Sequence, residues 1–367
     1  MALVGERFLS FQLSLPNSTD SADLPLLRFG MIGFDRVQRQ QIEGTAQILP
    51  HATTNWRAGA VANADAWLVC GDKTRAINSS TNGGNENLRV LAGLPSERAV
   101  TLSLQHIDRP LAFSLPLNNP NMEPRFTFEL GSPHSIQTVL QQFERCLWLM
   151  HSQYMLGKYL VERELELKAA IYHVMYKDKL LAVMDFVSWR IGMLTDTDPQ
   201  HFKNALWKKR PEEARDIPSN FLSTTVAELR WVYALHSTRY VLPARYRHEL
   251  MYFRKSPQVP LSWLSDSHLL LLQVLSKRPV TFQNLIESTG LPDEQLARDL
   301  ACLYFAGSLT TKPSKTAKAN AEKNLQEKGS VRSGVKNLVN IFNSTSPDDD
   351  DFLLDQDTTV SARLRPG

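Results

Sequence analysis

Long apolar runs are missing from this chain of 367 residues. Its best stretch, Leu269 to Leu275, is broken by Gln273 and falls far short of the roughly 18 residues that span a bilayer. No membrane insertion is expected. Cysteine is scarce: Cys70, Cys146 and Cys302 are odd in number and widely spaced, which argues against a disulfide framework and a cysteine-built metal site. Glu6 and Arg7 interrupt the N-terminus before an apolar segment can form, so no secretory signal is expected and a reducing cytoplasm is the default compartment. Charge bias is lacking too. Lys+Arg number 41 against 38 Asp+Glu, a net charge of +3, so charge carries meaning only segment by segment. What remains is ordinary globular composition, 43% hydrophobic and 22% charged, in a length that suits two or three domains.

The motifs that carry common chemistries are also missing. A phosphate-cradling loop needs glycines spaced around a Lys-Ser/Thr pair; Gly71-Asp72-Lys73-Thr74 has the Lys-Thr ending but no glycine five positions before Gly71. His248-Glu249 lacks a second histidine at Tyr252, so no zinc-binding helix forms there. There is no Gly-x-Ser-x-Gly elbow. The nine histidines are scattered, and His173, in a strand pattern, reads as a hydrogen-bonded structural residue. Neither enzymatic activity nor a cofactor is expected.

The pattern along the chain divides it into segments. Residues 1–25 read as an extended lead-in with a polar loop at Pro16–Asp20. From 26 to 150 short apolar runs alternate with helical stretches: strands at Leu26–Phe34, Asp65–Gly71, Ala99–Leu104 and Leu111–Leu115, a helix at Arg36–Leu49, a polar loop at Asn78–Glu86, and one long amphipathic helix over Ser135–Leu165. Such alternation predicts an α/β layer with a largely parallel sheet. Residues 151–260 read as a mixed α+β middle region. It holds a hairpin at Ile171–Val187, a third strand at Ser188–Leu194, a helix at His201–Arg210, and a helix from Thr225 to Ser237 opened by the capping-box pair Thr225 and Glu228.

Residues 261–311 carry three helical patterns, Ser267–Ser276, Thr281–Ser288 and one opened by Pro292-Asp293, with Gly290 in the turn and a short strand at Gly307–Thr311. Residues 312–334 hold six Lys/Arg against two Glu with almost no large apolar side chains, as a flexible basic linker does. Beyond them Val335, Leu338, Val339 and Phe342 form a short apolar stripe, followed by the acid run Asp348–Asp351 and Phe352-Leu353-Leu354. The segment 312–367 is expected to be disordered. It reads equally as an inert tail or as one whose stripe docks on a partner.

The element order over 26–150, with the run Ala64-Asp65-Ala66-Trp67-Leu68-Val69, resembles the receiver domain of bacterial response regulators. The resemblance implies a doubly wound fold. It would also imply phosphotransfer, had the family's functional positions been kept. Where receivers hold a metal with two acids after the first strand, Gly33-Phe34-Asp35 supplies one. Cys70-Gly71 stands in the phosphoacceptor's place, with Asp72 late, and Leu115-Pro116 stands where a lysine precedes proline at the close of the final strand. Without those groups phosphotransfer loses its electrostatic support, so a pseudo-receiver is expected. Residues 261–311 resemble a winged helix-turn-helix.

Two features bear on binding. Cations are interleaved with aromatics through 201–256: Trp207-Lys208-Lys209-Arg210, Arg215, Arg230-Trp231, Arg239-Tyr240, Arg245-Tyr246-Arg247 and Tyr252-Phe253-Arg254-Lys255, eleven Lys/Arg against five Asp/Glu. Arg210, Arg215, Arg230, Arg239, Arg245 and Arg247 are candidates to hold phosphate or a nucleotide such as a cyclic dinucleotide, since the guanidinium fork fits phosphate and aromatics stack on bases. The same pattern also arises where stems pack and charged heads reach water. The second feature is the candidate recognition helix, whose face of Glu294, Gln295 and Arg298, with Asp293 and Asp299, is poor in cations; residues 261–312 hold four Lys/Arg against five Asp/Glu. Because phosphate neutralisation supplies most DNA affinity, protein docking suits this helix better. The whole reads as a cytoplasmic bacterial signalling regulator that binds protein partners of its pathway. A DNA-binding transcriptional regulator and a nucleotide-messenger receptor are the alternatives.

Overall fold

The computed structural model describes residues 12–13, 24–48, 53–77, 87–104, 107–118 and 122–316. The expected loops at Pro16–Asp20 and Asn78–Glu86 and the tail beyond Thr316 lie outside them. The chain divides into two compact units at Tyr240/Val241. In the first, chain order runs β1 (Gln12–Leu13), β2 (Leu26–Ile32), α1 (Arg36–Ala46), β3 (Asn55–Gly59), β4 (Ala66–Val69), β5 (Thr74–Ile77), β6 (Asn87–Val90), β7 (Val100–Ser103), β8 (Leu111–Leu115), β9 (Thr127–Glu129), α2 (Pro133–Cys146) and α3 (Trp148–Glu162). It continues with β10 (Ile171–Tyr176), β11 (Lys179–Asp185), β12 (Arg190–Met193), α4 (Pro199–Lys203), β13 (Leu206–Arg210), β14 (Leu222–Thr224) and α5 (Val226–His236).

Strands β2, β3, β4, β8 and β9 form a five-stranded sheet in the order β3-β2-β4-β8-β9, parallel at every pairing. Alternation along each strand sorts its side chains between two layers. Leu27, Phe29 and Met31 of β2 and Ala66 and Leu68 of β4 meet Ile42 of α1 and Ile136, Val139, Leu140 and Phe143 of α2. On the other face Ile32, Val69 and Phe113 pack on Leu88, Val90 and Leu102 of a separate antiparallel sheet, β5-β6-β7. A doubly wound layer would carry helices there. The strand read at Ala99–Leu104 thus belongs to this covering sheet and not to the parallel one. Strands β3, β5, β6 and β9 were not read from the sequence. In consequence Leu115-Pro116 closes the fourth parallel strand, and β9 is the last.

The long helix expected over Ser135–Leu165 is two. Leu147 (φ −99°, ψ 13°) ends α2 and precedes α3, and the two serve different layers. Helix α3 packs on α5 at unusually close range: a Cβ on Gly157 would lie 2.1 Å from the Leu229 carbonyl oxygen, and the rings of Tyr154 and Tyr233 are 5.3 Å apart. Together they cover a six-stranded antiparallel sheet in the order β1-β13-β10-β11-β12-β14, burying Val174, Ala182, Met184, Ile191 and Trp207. The helix expected over His201–Arg210 is a correction of the same kind. Only Pro199–Lys203 is helical, while Leu206–Arg210 is β13, paired to β10 and β1. The Thr225–Glu228 capping box is present, as expected.

The opposite face of this sheet is crossed by residues 211–221. The His173 Nε2–H donates to the Ala214 carbonyl at 2.9 Å, and Ile217 fills the notch above Gly192, where a Cβ would come within 2.2 Å of its Cγ2.

The second unit holds α6 (Arg245–His248), β15 (Tyr252–Phe253), α7 (Asp266–Lys277), α8 (Phe282–Thr289), α9 (Asp293–Phe305) and β16 (Leu309–Thr310). Thr281 caps α8 and Gly290, at φ +68°, ends it; positive φ there is cheap for glycine alone. The short strand β16 pairs antiparallel with β15, and Met251 bridges Val280.

Candidate functional site

In an open parallel sheet ligands settle where the chain switches direction, at the carboxyl ends of the strands. Here the chain leaves β2 for β3 on one side and returns to β4 on the other, so the crevice falls between Ile32-Gly33-Phe34-Asp35 and Val69-Cys70-Gly71-Asp72. It is filled by the chain itself. Gly33 (φ +83°) turns under the covering sheet, and a Cβ on it would sit 2.8 Å from Val90. Gly93 passes so close that its Cβ would be 2.0 Å from the Phe34 carbonyl oxygen. Arg39 then ties the loop down. Its guanidinium donates to the carbonyls of Phe34 (3.1 Å) and Met31 (3.3 Å) and to Glu97 at 2.6 Å.

The acids at this edge have local structural duties. Asp35 is the N-cap of α1: it accepts from the Gln38 N–H at 2.9 Å, while its own N–H donates to Gln38 Oε1 at 3.0 Å. Asp72 accepts from the Cys70 thiol at 2.8 Å. Burial, reinforced by the hydrogen bond and charge of Asp72, pushes that thiol up to about 12, so Cys70 stays protonated and is a poor nucleophile. The Gly71 N–H donates to Ser114 Oγ at 3.0 Å, and a Cβ there would lie 2.0 Å from the Ser114 carbonyl oxygen. Among the described residues no three His, Cys, Asp or Glu side chains gather as a metal site.

Of the six candidate arginines, four lie in the first unit and two in the second. Arg210 ends β13 opposite Ile171 and is exposed. Arg215 bonds back to the Glu212 carbonyl at 3.1 Å and lies 3.5 Å from its carboxylate. Arg230 is buried in α5 against Glu164 (3.4 Å), and Arg239 meets Glu162 (3.4 Å); both acids stand at the end of α3 or just beyond it. Burial raises the Glu164 pKa, partly offset by the Arg230 charge. In the second unit Arg245 lies over the Tyr246 ring and Arg247 over Phe282, and Arg247 grips Asp293 with two bonds of 3.0 and 3.1 Å. Arg215, Arg230, Arg239 and Arg247 thus already hold carboxylates.

On α9, Glu294 is exposed and Gln295 and Arg298 are half-buried. Asp299, read as exposed from the sequence, points inward: it is 4% accessible and lies 3.7 Å from His268 Nε2 of α7. The Ser265 N–H donates to His268 Nδ1 at 3.2 Å, and Ser265 Oγ is 2.7 Å from the same nitrogen. Nδ1 is therefore the acceptor and Nε2–H faces Asp299. Burial holds the His268 pKa down, with Asp299 opposing. Ser, His and Asp in sequence evoke nucleophilic catalysis, yet Ser265 is the N-cap of α7 and the other two are enclosed. The group is a capping device.

The tail stripe Val335, Leu338, Val339 and Phe342 lies outside the described residues. Two groupings escaped the sequence reading. One is His151 with His236, both buried, where Nδ1–H of His236 donates to the Leu26 carbonyl at 3.0 Å and its Nε2 lies 3.9 Å from Asp65. The other is Arg75 opposite Arg89 on the covering sheet. Reading Thr-Arg-Ala-Ile and Asn-Leu-Arg-Val as paired strands would have shown the second. Compared with known proteins, the chain matches no family model, and no curated protein or solved structure shows significant similarity to it.

Proposed function

We propose that the chain is a cytoplasmic bacterial regulatory protein that works by binding a protein partner, its receiver-like layer no longer serving phosphotransfer and its second unit acting as a winged-helix docking module. The observation that carries this reading is the use of the switch-point edge for structure: Asp35 caps a helix, Asp72 receives the Cys70 thiol, and Arg39 seals the loop above them. The order α7–α8–α9–β16, with β16 returned onto β15, supports the winged helix. The outward residues of α9 support docking to protein. One half-buried arginine beside Glu294, with Asp293 already bound to Arg247, offers little for phosphates.

The DNA-binding and nucleotide-receptor readings are decided by titration. Titrating the protein into labelled duplex DNA at low salt should leave the anisotropy unchanged, and cyclic dinucleotides should give no heat of binding. A salt-dependent shift lost in Arg298→Ala would establish the DNA reading instead. Heat lost in Arg210→Ala or Arg245→Ala would establish the nucleotide reading.

A further inference from the structure

Six of the seven residues from Leu269 to Leu275 are apolar, but a helix packed on one side can bury only part of such a run. Helix α7 turns His268, Leu271 and Leu275 inward and leaves Leu269 51% and Leu270 37% exposed. Isolated exposed leucines are ordinary, whereas adjacent ones framed by polar residues mark a contact surface.

The frame has a pattern. Asp266, Leu270, Gln273 and Lys277 recur at intervals of four, three and four, and all are exposed. That spacing sets them in one line along the outer face, as at the seam of a helix pair, with Leu269 on its flank. The intervals read the same in both directions, so the line fits its own copy reversed. Laid antiparallel, it sets Asp266 against Lys277 of a second copy and Leu270 against Gln273, and two-fold symmetry repeats both pairings. A parallel arrangement would set Asp266 on Asp266 and Lys277 on Lys277. Among the described residues neither Asp266 nor Lys277 has an ion-pair partner, so each can take one. The helix dipole accounts for an acid in the first turn and a lysine in the last; it does not account for leucines left in water between them. With one acid and one cation, the line offers little to a strongly charged partner. Its best complement is itself.

We propose that α7 is a self-association surface through which two copies of this chain pair with their α7 helices antiparallel, Leu269 and Leu270 covered and Asp266 joined to Lys277 across the contact. One short helix from each copy makes an interface below about 1,200 Å² in total, so the dimer is weak and forms where the chain is concentrated. This surface is separate from the α9 face assigned to a protein partner above, and the two readings fail independently.

Sedimentation equilibrium on the full chain tests it. The average mass rises from that of one chain toward that of two as concentration increases. Asp266→Lys sets lysine against lysine at both ends of the contact, and Lys277→Asp sets acid against acid; each weakens association at least about tenfold. Mixing the two variants in equal amounts restores association, because each charge then meets its opposite, and this recovery also excludes unfolding as the cause of the loss. Leu270→Gln, at an exposed position, weakens association as well. A chain that stays monomeric at every concentration overturns the proposal. So does a dimer indifferent to the charge reversals, and so does a mixture no more associated than its two components.

Discussion

Lowering the pH from about 7 to about 5 should destabilise the first unit through His151. Its ring is 4% accessible, and Nε2 has no hydrogen-bond partner among the described residues. Burial, helped by the neighbouring His236 charge, lowers its pKa from 6.5 to about 3. The sign follows from proton uptake. Between these values the unfolded chain binds a proton that the folded chain refuses, so stability is complete above about 6.5 and falls as pH drops toward 3. Integrating from about pH 7 to about pH 5 with those two values gives a loss of about 2 kcal/mol from this one group.

Urea denaturation followed by tryptophan fluorescence reads the right unit, because Trp56, Trp67, Trp148, Trp189, Trp207 and Trp231 lie in it and only Trp263 lies in the other. Other groups titrate over the same range, so the quantity to compare is the pH-dependent loss in the native chain minus that in His151→Gln, with His151→Met as a second replacement. The difference should be about 2 kcal/mol. An equal loss in all three proteins would refute the assignment of a neutral, enclosed His151.

Two further substitutions test the packing. Gly157→Ala places a Cβ against the Leu229 carbonyl, where backbone rather than a side-chain tip must yield; it should cost about 1–3 kcal/mol or more in the same urea titration. Gly192→Ala drives into Ile217 and should cost about 1–3 kcal/mol, but in an Ile217→Ala background most of that penalty should vanish, giving a clear coupling energy in a double-mutant cycle.

Much of the framework was legible where local chemistry and tertiary structure agree. Leu26–Ile32, the β10–β11 hairpin, the Thr225 box and the Gly290 turn each carry their own signal within a few residues. What escaped depends on distant partners. Strand β3 shows one buried tryptophan, Trp56, among polar neighbours, and β9 shows only Phe128 between Thr127 and Glu129. The lysines and arginine of β13 hide a strand whose Trp207 stands opposite Val174 of β10. At Leu147 the apolar spacing runs on without a break while the helix does not, because α3 is buried nearly all round and its periodicity no longer marks a face. The closed edge was half legible. The lone acid Asp35 after β2 and Cys70-Gly71 at the end of β4 can be read in the sequence, whereas the covering sheet that fills the crevice cannot. Asp299 was misplaced because spacing along α9 does not reveal His268 on α7.

The central claim is that the switch-point edge has been given over to structure and the protein works through its surfaces. Incubation with acetyl phosphate and Mg²⁺, followed by intact-protein and peptide mass spectrometry, tests it most directly. The account predicts no phosphoryl adduct on any carboxylate of the edge; a hydroxylamine-sensitive acyl phosphate on Asp35 or Asp72 would contradict it.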